Sequence, residues 1–119
     1  MKVVIARPGE KAVVGEVKNG FEDLERTVGG RLGFFPSPVS GTVVICDKRG
    51  AEKGKMPNRY VFGILARLFP EREKDIDVLA GTIVIAGKEG NRLASLTEEK
   101  AKVVMEIYKY PVCCREDLY

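Results

Sequence analysis

Two short apolar runs place the strongest constraint on how this chain can fold. Thr42–Asp47 reads Thr-Val-Val-Ile-Cys-Asp, and residues 82–86 read Thr-Ile-Val-Ile-Ala. Branched apolar residues favour β-strands, and a nearly unbroken apolar run is typical of a strand that is covered on both faces. The sequence therefore predicts two central strands around which the other elements pack.

Weaker patterns in the remaining segments predict the other elements. Apolar residues three and four apart indicate helices, and clusters of Gly, Pro and Asn indicate the turns between elements. The predicted strands are Lys2–Ala6, residues 11–18, residues 31–35, Thr42–Asp47, residues 76–86 and a short edge segment at residues 92–96. The predicted helices are Phe21–Val28, residues 60–69 and a C-terminal helix that Thr97 caps and Pro111 ends.

The order of these elements, β-β-α-β-β-α-β-α, predicts a small α+β fold. We expect a single globular domain over residues 1–119, with residues 111–119 as a loose tail. The sheet is expected to be mainly antiparallel or mixed, with the helices packed on one of its faces. Gly29-Gly30 is expected to end the first helix in a left-handed conformation.

The chain contains no histidine, and this excludes much catalytic chemistry. A Ser-His-Asp triad, a Cys-His pair, an HExxH zinc site and an imidazole proton shuttle are all ruled out. Only lone carboxylates, hydroxyls and thiols remain as reactive groups. The composition therefore favours a binding protein without a cofactor or metal over an enzyme.

Charge and cysteine content indicate a cytoplasmic protein. Twenty basic and 17 acidic residues give a net charge of +3, which is a weak argument for nucleic-acid binding. Cys46, Cys113 and Cys114 have no spacing that suggests a disulfide framework. The first apolar run is too short for a signal peptide, and no stretch approaches the ~20 apolar residues of a membrane span. We expect reduced thiols and no contact with a membrane.

Six short motifs follow one another in an informative order. They are Pro8-Gly9-Glu10, Leu24 with Val28-Gly29-Gly30, Val44-Ile45-Cys46-Asp47, Pro57-Asn58-Arg59, Asp77-Val78-Leu79-Ala80-Gly81-Thr82 and Ser95-Leu96-Thr97-Glu98. In this order they resemble the bacterial and phage family catalogued as domain of unknown function 3846. The resemblance implies an accessory gene of phages or conjugative elements, expressed in a bacterial cytoplasm, with no known activity. The chain departs from the family pattern at Arg31-Leu32-Gly33, at Asp47-Lys48-Arg49-Gly50 and in its Cys-Cys tail.

Residues 48–67 form the most basic part of the chain. The segment carries six basic residues against one acidic residue, Glu52, and these are Lys48, Arg49, Lys53, Lys55, Arg59 and Arg67. Such a segment could contact phosphates or an acidic partner surface as a flexible arm. The alternative is an ordinary solvated loop, because no aromatic residues alternate with the charges as they do in many single-strand binders.

Asn58 and Arg59 are the strongest candidates for a binding site. The Asn amide both donates and accepts hydrogen bonds, and the Arg guanidinium is a planar fork suited to carboxylate or phosphate. The alternative is structural, with Asn58 capping a following helix and Arg59 pairing with a carboxylate such as Asp77.

Three further groups have weaker signals. Asp75 and Asp77 would share one side of a strand and could bind a metal or act as acid and base, but a turn with an ion pair is favoured. Gly81 and Thr82 lie at the start of a strand, where a glycine allows a ligand or a neighbouring chain to approach, or forms a bulge. Cys113-Cys114 is favoured as an inert tail pair over a redox or metal site, and Cys46 as a core residue.

Two classes of function follow from the sequence. The first is a non-enzymatic binding protein, a phage or mobile-element accessory factor that docks on a host or element protein, for example as an inhibitor of host defence. The alternative is a nucleic-acid-binding accessory protein that uses residues 48–67. An exposed edge strand would also allow a homo-oligomer to form by sheet extension.

Overall fold

The two apolar runs form neighbouring strands in the middle of a sheet. The computed structural model describes residues 1–18, 20–37, 39–50, 52–60 and 78–109. Its strands are β1 (Lys2–Ala6), β2 (Val13–Glu16), β3 (Leu32–Pro36), β4 (Thr42–Asp47), β5 (Pro57–Tyr60), β6 (Val78–Ala80), β7 (Ile83–Glu89) and β8 (Arg92–Ala94). Its helices are α1 (Phe21–Val28) and α2 (Glu98–Tyr108).

Antiparallel pairing organises the described strands. Six of them form one sheet in the order β2-β1-β7-β4-β3, with β8 paired to β7. Val4, Ile85 and Val44 lie side by side across β1, β7 and β4, and all three are fully buried. β5 and β6 form a separate two-stranded sheet. The predicted α+β fold with a mainly antiparallel sheet is therefore confirmed.

The two described helices cover opposite faces of the large sheet, which corrects the expectation that they share one face. Along β7, Val84 belongs to a buried cluster with Leu24 of α1, whereas Ile85 belongs to a second buried cluster with Val104 of α2. Successive side chains of a strand point to opposite faces. Because the central strands are apolar at nearly every position, each face requires its own cover.

Residues 76–86 were predicted to form one strand, and the structure corrects this. The chain turns at Gly81, whose φ of 85° lies in the left-handed region that favours glycine. The part before the turn, β6, pairs with β5, and the part after it, β7, enters the large sheet. A single apolar stretch of sequence therefore supplies two different sheets.

Strand β5 was not predicted, because residues 48–60 were interpreted as a loop followed by the start of a helix. Its pairing with β6 is irregular and is not visible as a local pattern in the sequence. Most of the predicted helix at residues 60–69, and the tail at residues 111–119, lie outside the described residues. β8 falls within the predicted edge segment at residues 92–96.

The C-terminal end of α1 and the N-terminal end of α2 lie at the predicted capping residues. Gly29 ends α1 with a φ of 79°, and its N–H donates to the carbonyl oxygen of Glu25. The Thr97 hydroxyl accepts a hydrogen bond of 3.1 Å from the backbone N–H of Lys100 at the start of α2. Neither described helix has the length and apolar character needed to cross a membrane.

The two-sided core predicts independent effects of mutations on its two faces. Leu24→Ala and Ile85→Ala each remove a fully buried side chain, and each should lower the free energy of unfolding by about 2–5 kcal/mol. In the double variant the losses should add to within about 0.5 kcal/mol, because the sheet separates the two clusters. Urea unfolding of the three variants measures this, and strong coupling would contradict a core divided by the sheet.

Candidate functional site

A buried carboxylate holds the basic segment in place. Asp47 is the last residue of β4, and its side chain is 1% exposed. One carboxylate oxygen accepts hydrogen bonds from the Nζ atoms of Lys55 at 2.7 Å and Lys53 at 2.9 Å, and the other accepts from the backbone N–H of Arg49 at 3.0 Å. Two of the six basic residues of this segment are therefore paired with this buried carboxylate.

The protonation of Asp47 follows from these contacts. Burial raises the pKa of the carboxyl, but the hydrogen bonds from Lys55, Lys53 and the Arg49 backbone outweigh burial and hold the pKa well below its usual range. The carboxylate is therefore negatively charged at neutral pH and forms ion pairs with both lysines, one negative charge against two positive charges.

Lys55 also connects Asp47 to helix α1. Its Nζ donates to the carbonyl oxygens of Val28 and Gly29, both at 2.9 Å, at the end where the helix leaves carbonyls without partners. A side chain at Gly30 would not fit, since a Cβ atom there would lie 2.5 Å from the Asp47 carboxylate. The Gly29-Gly30 corner thus allows α1 to approach the end of β4.

Asn58 forms a second polar junction close by. The residue is 1% exposed, and its Nδ2 donates to the carbonyl oxygen of Ala6 at 2.8 Å and to that of Gly81 at 2.7 Å. The suggestion that Asn58 caps a following helix is wrong, because Asn58 lies inside β5. Its amide instead joins the end of β1 to the turn between β6 and β7.

The structure brings together four of the predicted site residues, and these are Lys53, Lys55, Asn58 and Gly81. Lys48 and Arg49 lie in the turn after β4, where the Arg49 Nε pairs with Glu52 at 2.8 Å. Thr82 is half-buried beside Gly81. In the described part of this segment, Lys53 and Lys55 are both anchored to Asp47 and so do not belong to a free arm, while residues 61–67 lie outside the described residues.

Several predicted residues lie outside the described part of the structure. They are Asp75, Asp77, Arg67, Cys113, Cys114 and the side chain of Arg59. Cys46 is a core residue, as predicted, and burial raises the pKa of its thiol to about 11, so that it is a poor nucleophile. Within the described ranges no three Cys, Asp or Glu side chains come close enough together to hold a metal ion.

An exposed pair of phenyl rings is a feature that sequence reasoning missed. Phe21 at the start of α1 is 60% exposed, and Phe34 in β3 is 50% exposed. Their ring centroids lie 6.3 Å apart with the planes at 64°, an edge-to-face arrangement. The signal in the sequence was the Phe34-Phe35 pair, since two adjacent strand residues must point to opposite faces of the sheet.

The two rings form one wall of an open groove on the α1 face of the sheet, which we call the aromatic groove. Its volume is about 780 Å³, and its lining consists of Gly20, Phe21, Phe34, Val43, Lys88, Glu89, Asn91, Arg92 and Leu93. Val43 and Leu93 provide an apolar floor, and the tip of the β7–β8 hairpin provides a polar rim with two cations and one carboxylate. A smaller hollow of about 400 Å³ lies between α1 and β3.

Comparison with known proteins identifies the family of the chain. The family model described as "Domain of unknown function (DUF3846)" matches residues 1–109. The chain belongs to this family. No curated protein and no solved structure matches it.

In this DUF3846 chain, motifs that are far apart in the sequence meet at one end of the large sheet. Asp47 closes the third motif, Gly29-Gly30 the second, and Asn58 and Gly81 lie in the fourth and fifth. Lys55, which belongs to none of them, contacts the second and third motifs directly. The motifs therefore mark a structural junction, while the aromatic groove lies on a different part of the surface.

The junction predicts unequal roles for its two lysines. Lys55→Met should lower the free energy of unfolding by about 3 kcal/mol, because it leaves only the half-exposed Lys53 to pair with a buried carboxylate and removes the bonds to α1. Lys53→Met should cost about 1 kcal/mol or less, because Lys53 is 47% exposed. Urea unfolding of both variants at neutral pH makes the comparison, and equal losses would contradict a special role for Lys55.

The lowered pKa of Asp47 predicts a pH dependence. Folding lowers the pKa of the Asp47 carboxyl below its ordinary value of 3.8. The contribution of Asp47 to the stability of the folded state is therefore complete above pH 3.8 and is lost as the pH falls below that value. The stability difference between wild type and Asp47→Asn should therefore narrow between about pH 5 and pH 2. The exposed Glu89→Gln variant serves as the control, and a difference that stays constant with pH would contradict the assignment.

Proposed function

We propose that this DUF3846 chain is a non-enzymatic binding protein that docks on another protein through the aromatic groove. The observation that carries the proposal is the exposed pair of Phe21 and Phe34. Two phenyl rings that are half or more exposed leave apolar area in contact with water, and contact with a partner would remove it.

The composition of the groove supports a protein partner. Aromatic side chains and arginine are enriched at the centres of protein interfaces, where they contribute most of the binding energy. The groove combines two phenyl rings with Arg92 and Lys88 on its rim. Such a surface suits a partner segment that presents apolar side chains together with a carboxylate.

The pairing of the basic segment weakens the nucleic-acid alternative. Lys53 and Lys55 are committed to Asp47, and Arg49 is paired with Glu52. Binding to a phosphate backbone requires cations that are available to displace counterions. Of the four described basic side chains of the segment, Lys48, Arg49, Lys53 and Lys55, three therefore form ion pairs within the protein, with two carboxylates between them.

The biological setting of the proposal comes from the family resemblance. It implies a cytoplasmic accessory factor of a phage or mobile element that docks on a host or element protein, of which an inhibitor of host defence is one form. Gene neighbourhood tests this part, because defence and anti-defence genes beside this gene would support the role in inhibition.

The docking proposal predicts a selective loss of binding. Immobilised wild-type protein, Phe21→Ser and Val103→Ser are compared for proteins retained from a lysate of the natural host, and the retained protein is then purified and titrated. Phe21→Ser should weaken the affinity for that protein at least about tenfold, as expected for an aromatic anchor.

Val103→Ser is the matched control, because Val103 is an exposed apolar residue on α2, at 45% exposure, outside the groove. It should bind like wild type. Equal binding by all three proteins would overturn the proposed groove. Retention of nucleic acid that weakens steeply with salt would favour the alternative function instead.

A further inference from the structure

The hairpin of β7 and β8 forms the polar end of the aromatic groove, and its side chains divide between the two faces of the sheet. Lys88 lies opposite Leu93 in the ladder, and Glu89 lies opposite Arg92. Leu93 packs against the buried cluster that contains Leu24 of α1. Because residues opposite each other in a ladder share a face, the Lys88 side chain leaves the sheet on the α1 face, beside Leu93.

Lys88 differs from the other charges at this end of the groove. Glu89 and Arg92 form the next pair towards the tip, so two opposite charges lie beside each other on neighbouring strands. Lys88 is exposed, lies opposite an apolar residue, and forms no ion pair within the described residues. Its backbone N–H donates to the carbonyl oxygen of Gly41 at 2.8 Å, which fixes its position. Lys88 therefore gives the hairpin end of the groove an excess positive charge.

The far end of the groove carries no such excess. Phe21 and Phe34 line both the aromatic groove and the smaller hollow, so the two hollows meet at the phenyl rings. Beyond the rings lie Glu25 and Arg31, which are exposed and have one charge of each sign. The path across the two hollows is therefore apolar in the middle, balanced in charge at the α1 end and positive at the hairpin end.

The length of this path sets the size of its occupant. From Leu93 to Phe34 it crosses β8, β7, β4 and β3, which are neighbours in that order. Three spacings of about 4.8 Å give roughly 14 Å, and an extended peptide covers this distance with four or five residues at about 3.3 Å each. A short segment with one acidic end and an apolar centre therefore matches the path in length and charge.

The carboxylates along the path favour a peptide over a single-stranded nucleic acid. Exposed phenyl rings beside a cation would also suit stacked bases. A nucleic acid, however, carries a phosphate at every nucleotide, and on this path its backbone would meet Glu89 at one end and Glu25 at the other. A peptide with a single carboxylate places its charge on Lys88 and avoids both.

We propose that the aromatic groove binds an extended acidic segment of a partner protein, about five residues long, with its apolar side chains on the phenyl pair and its Asp or Glu side chain on Lys88. The inference rests on the proposed docking function. It adds the chemistry of the partner and identifies Lys88 as the residue that selects it, because complementary charge contributes specificity to an interface whose affinity comes from apolar contacts.

Selection from a phage-displayed library of random peptides, each of about twelve residues, tests the proposal. Peptides retained by the wild type are kept only if Phe21→Ser does not retain them, and they should share apolar residues next to Asp or Glu. Synthetic copies are then titrated by fluorescence anisotropy. Lys88→Glu should weaken binding at least about tenfold. Lys48→Glu makes the same charge change at an exposed residue beyond the other end of β4, outside the groove, and should bind like wild type.

An exchange of charge tests the contact with Lys88 directly. A peptide whose acidic residue is replaced by lysine should bind Lys88→Glu better than it binds the wild type, and thermal unfolding confirms that each variant is folded. Peptides that require Phe21 but show no acidic preference, or that bind Lys88→Glu as well as wild type, would overturn the inference and leave the docking groove in place.

Two further outcomes separate the inference from the proposed function. If no peptide requires Phe21, the inference fails, and the comparison of wild type with Phe21→Ser for a protein retained from the host lysate then decides the proposed function by itself. A labelled oligothymidylate that binds more tightly than any peptide, and that loses its binding to Phe21→Ser, would overturn both and assign the groove to nucleic acid.

Discussion

The buried ion pairs of Asp47 are the contact on which the local arrangement of this DUF3846 domain depends. A carboxylate at the end of a central strand is costly to bury unless positive charge accompanies it. Lys55 supplies that charge and at the same time bonds the last carbonyls of α1, so one side chain ties the C-terminal end of the helix to the end of β4. The same carboxylate also pairs with Lys53, so the charges of two lysines of the basic segment are tied to the end of β4.

Local sequence patterns correctly predicted the structural features that depend on residues close together in the chain. The run at Thr42–Asp47 predicted a central strand, Gly29 and Thr97 predicted the ends of two helices, and Cys46 was correctly placed in the core. These depend on residue type and spacing within a few positions. The unbroken apolar run also indicated that both faces of the sheet are covered. The order of the elements, however, led to the prediction that the helices share one face.

The candidate site was less predictable because tertiary contacts decide it. The charges of Lys53 and Lys55 resembled a binding surface, and only the fold reveals that Asp47 lies between them. Asn58 was selected correctly as an unusual residue, but its partners, Ala6 and Gly81, are distant in sequence. The phenyl pair joins a helix to a strand, and no periodicity within either element indicates that the rings meet outside the core.

The position of β1 in the sheet has a consequence for how the protein forms. β1 lies between β2, its neighbour in sequence, and β7, which begins at Ile83. Pairing across so long a separation closes a large loop, and such contacts slow folding. During synthesis, β1 therefore cannot pair with β7 until most of the chain has left the ribosome. Until then, the apolar side chains of β1 and β4 remain exposed. A substitution that slows this long-range pairing should therefore lengthen the exposure of apolar strand surface and favour aggregation over folding.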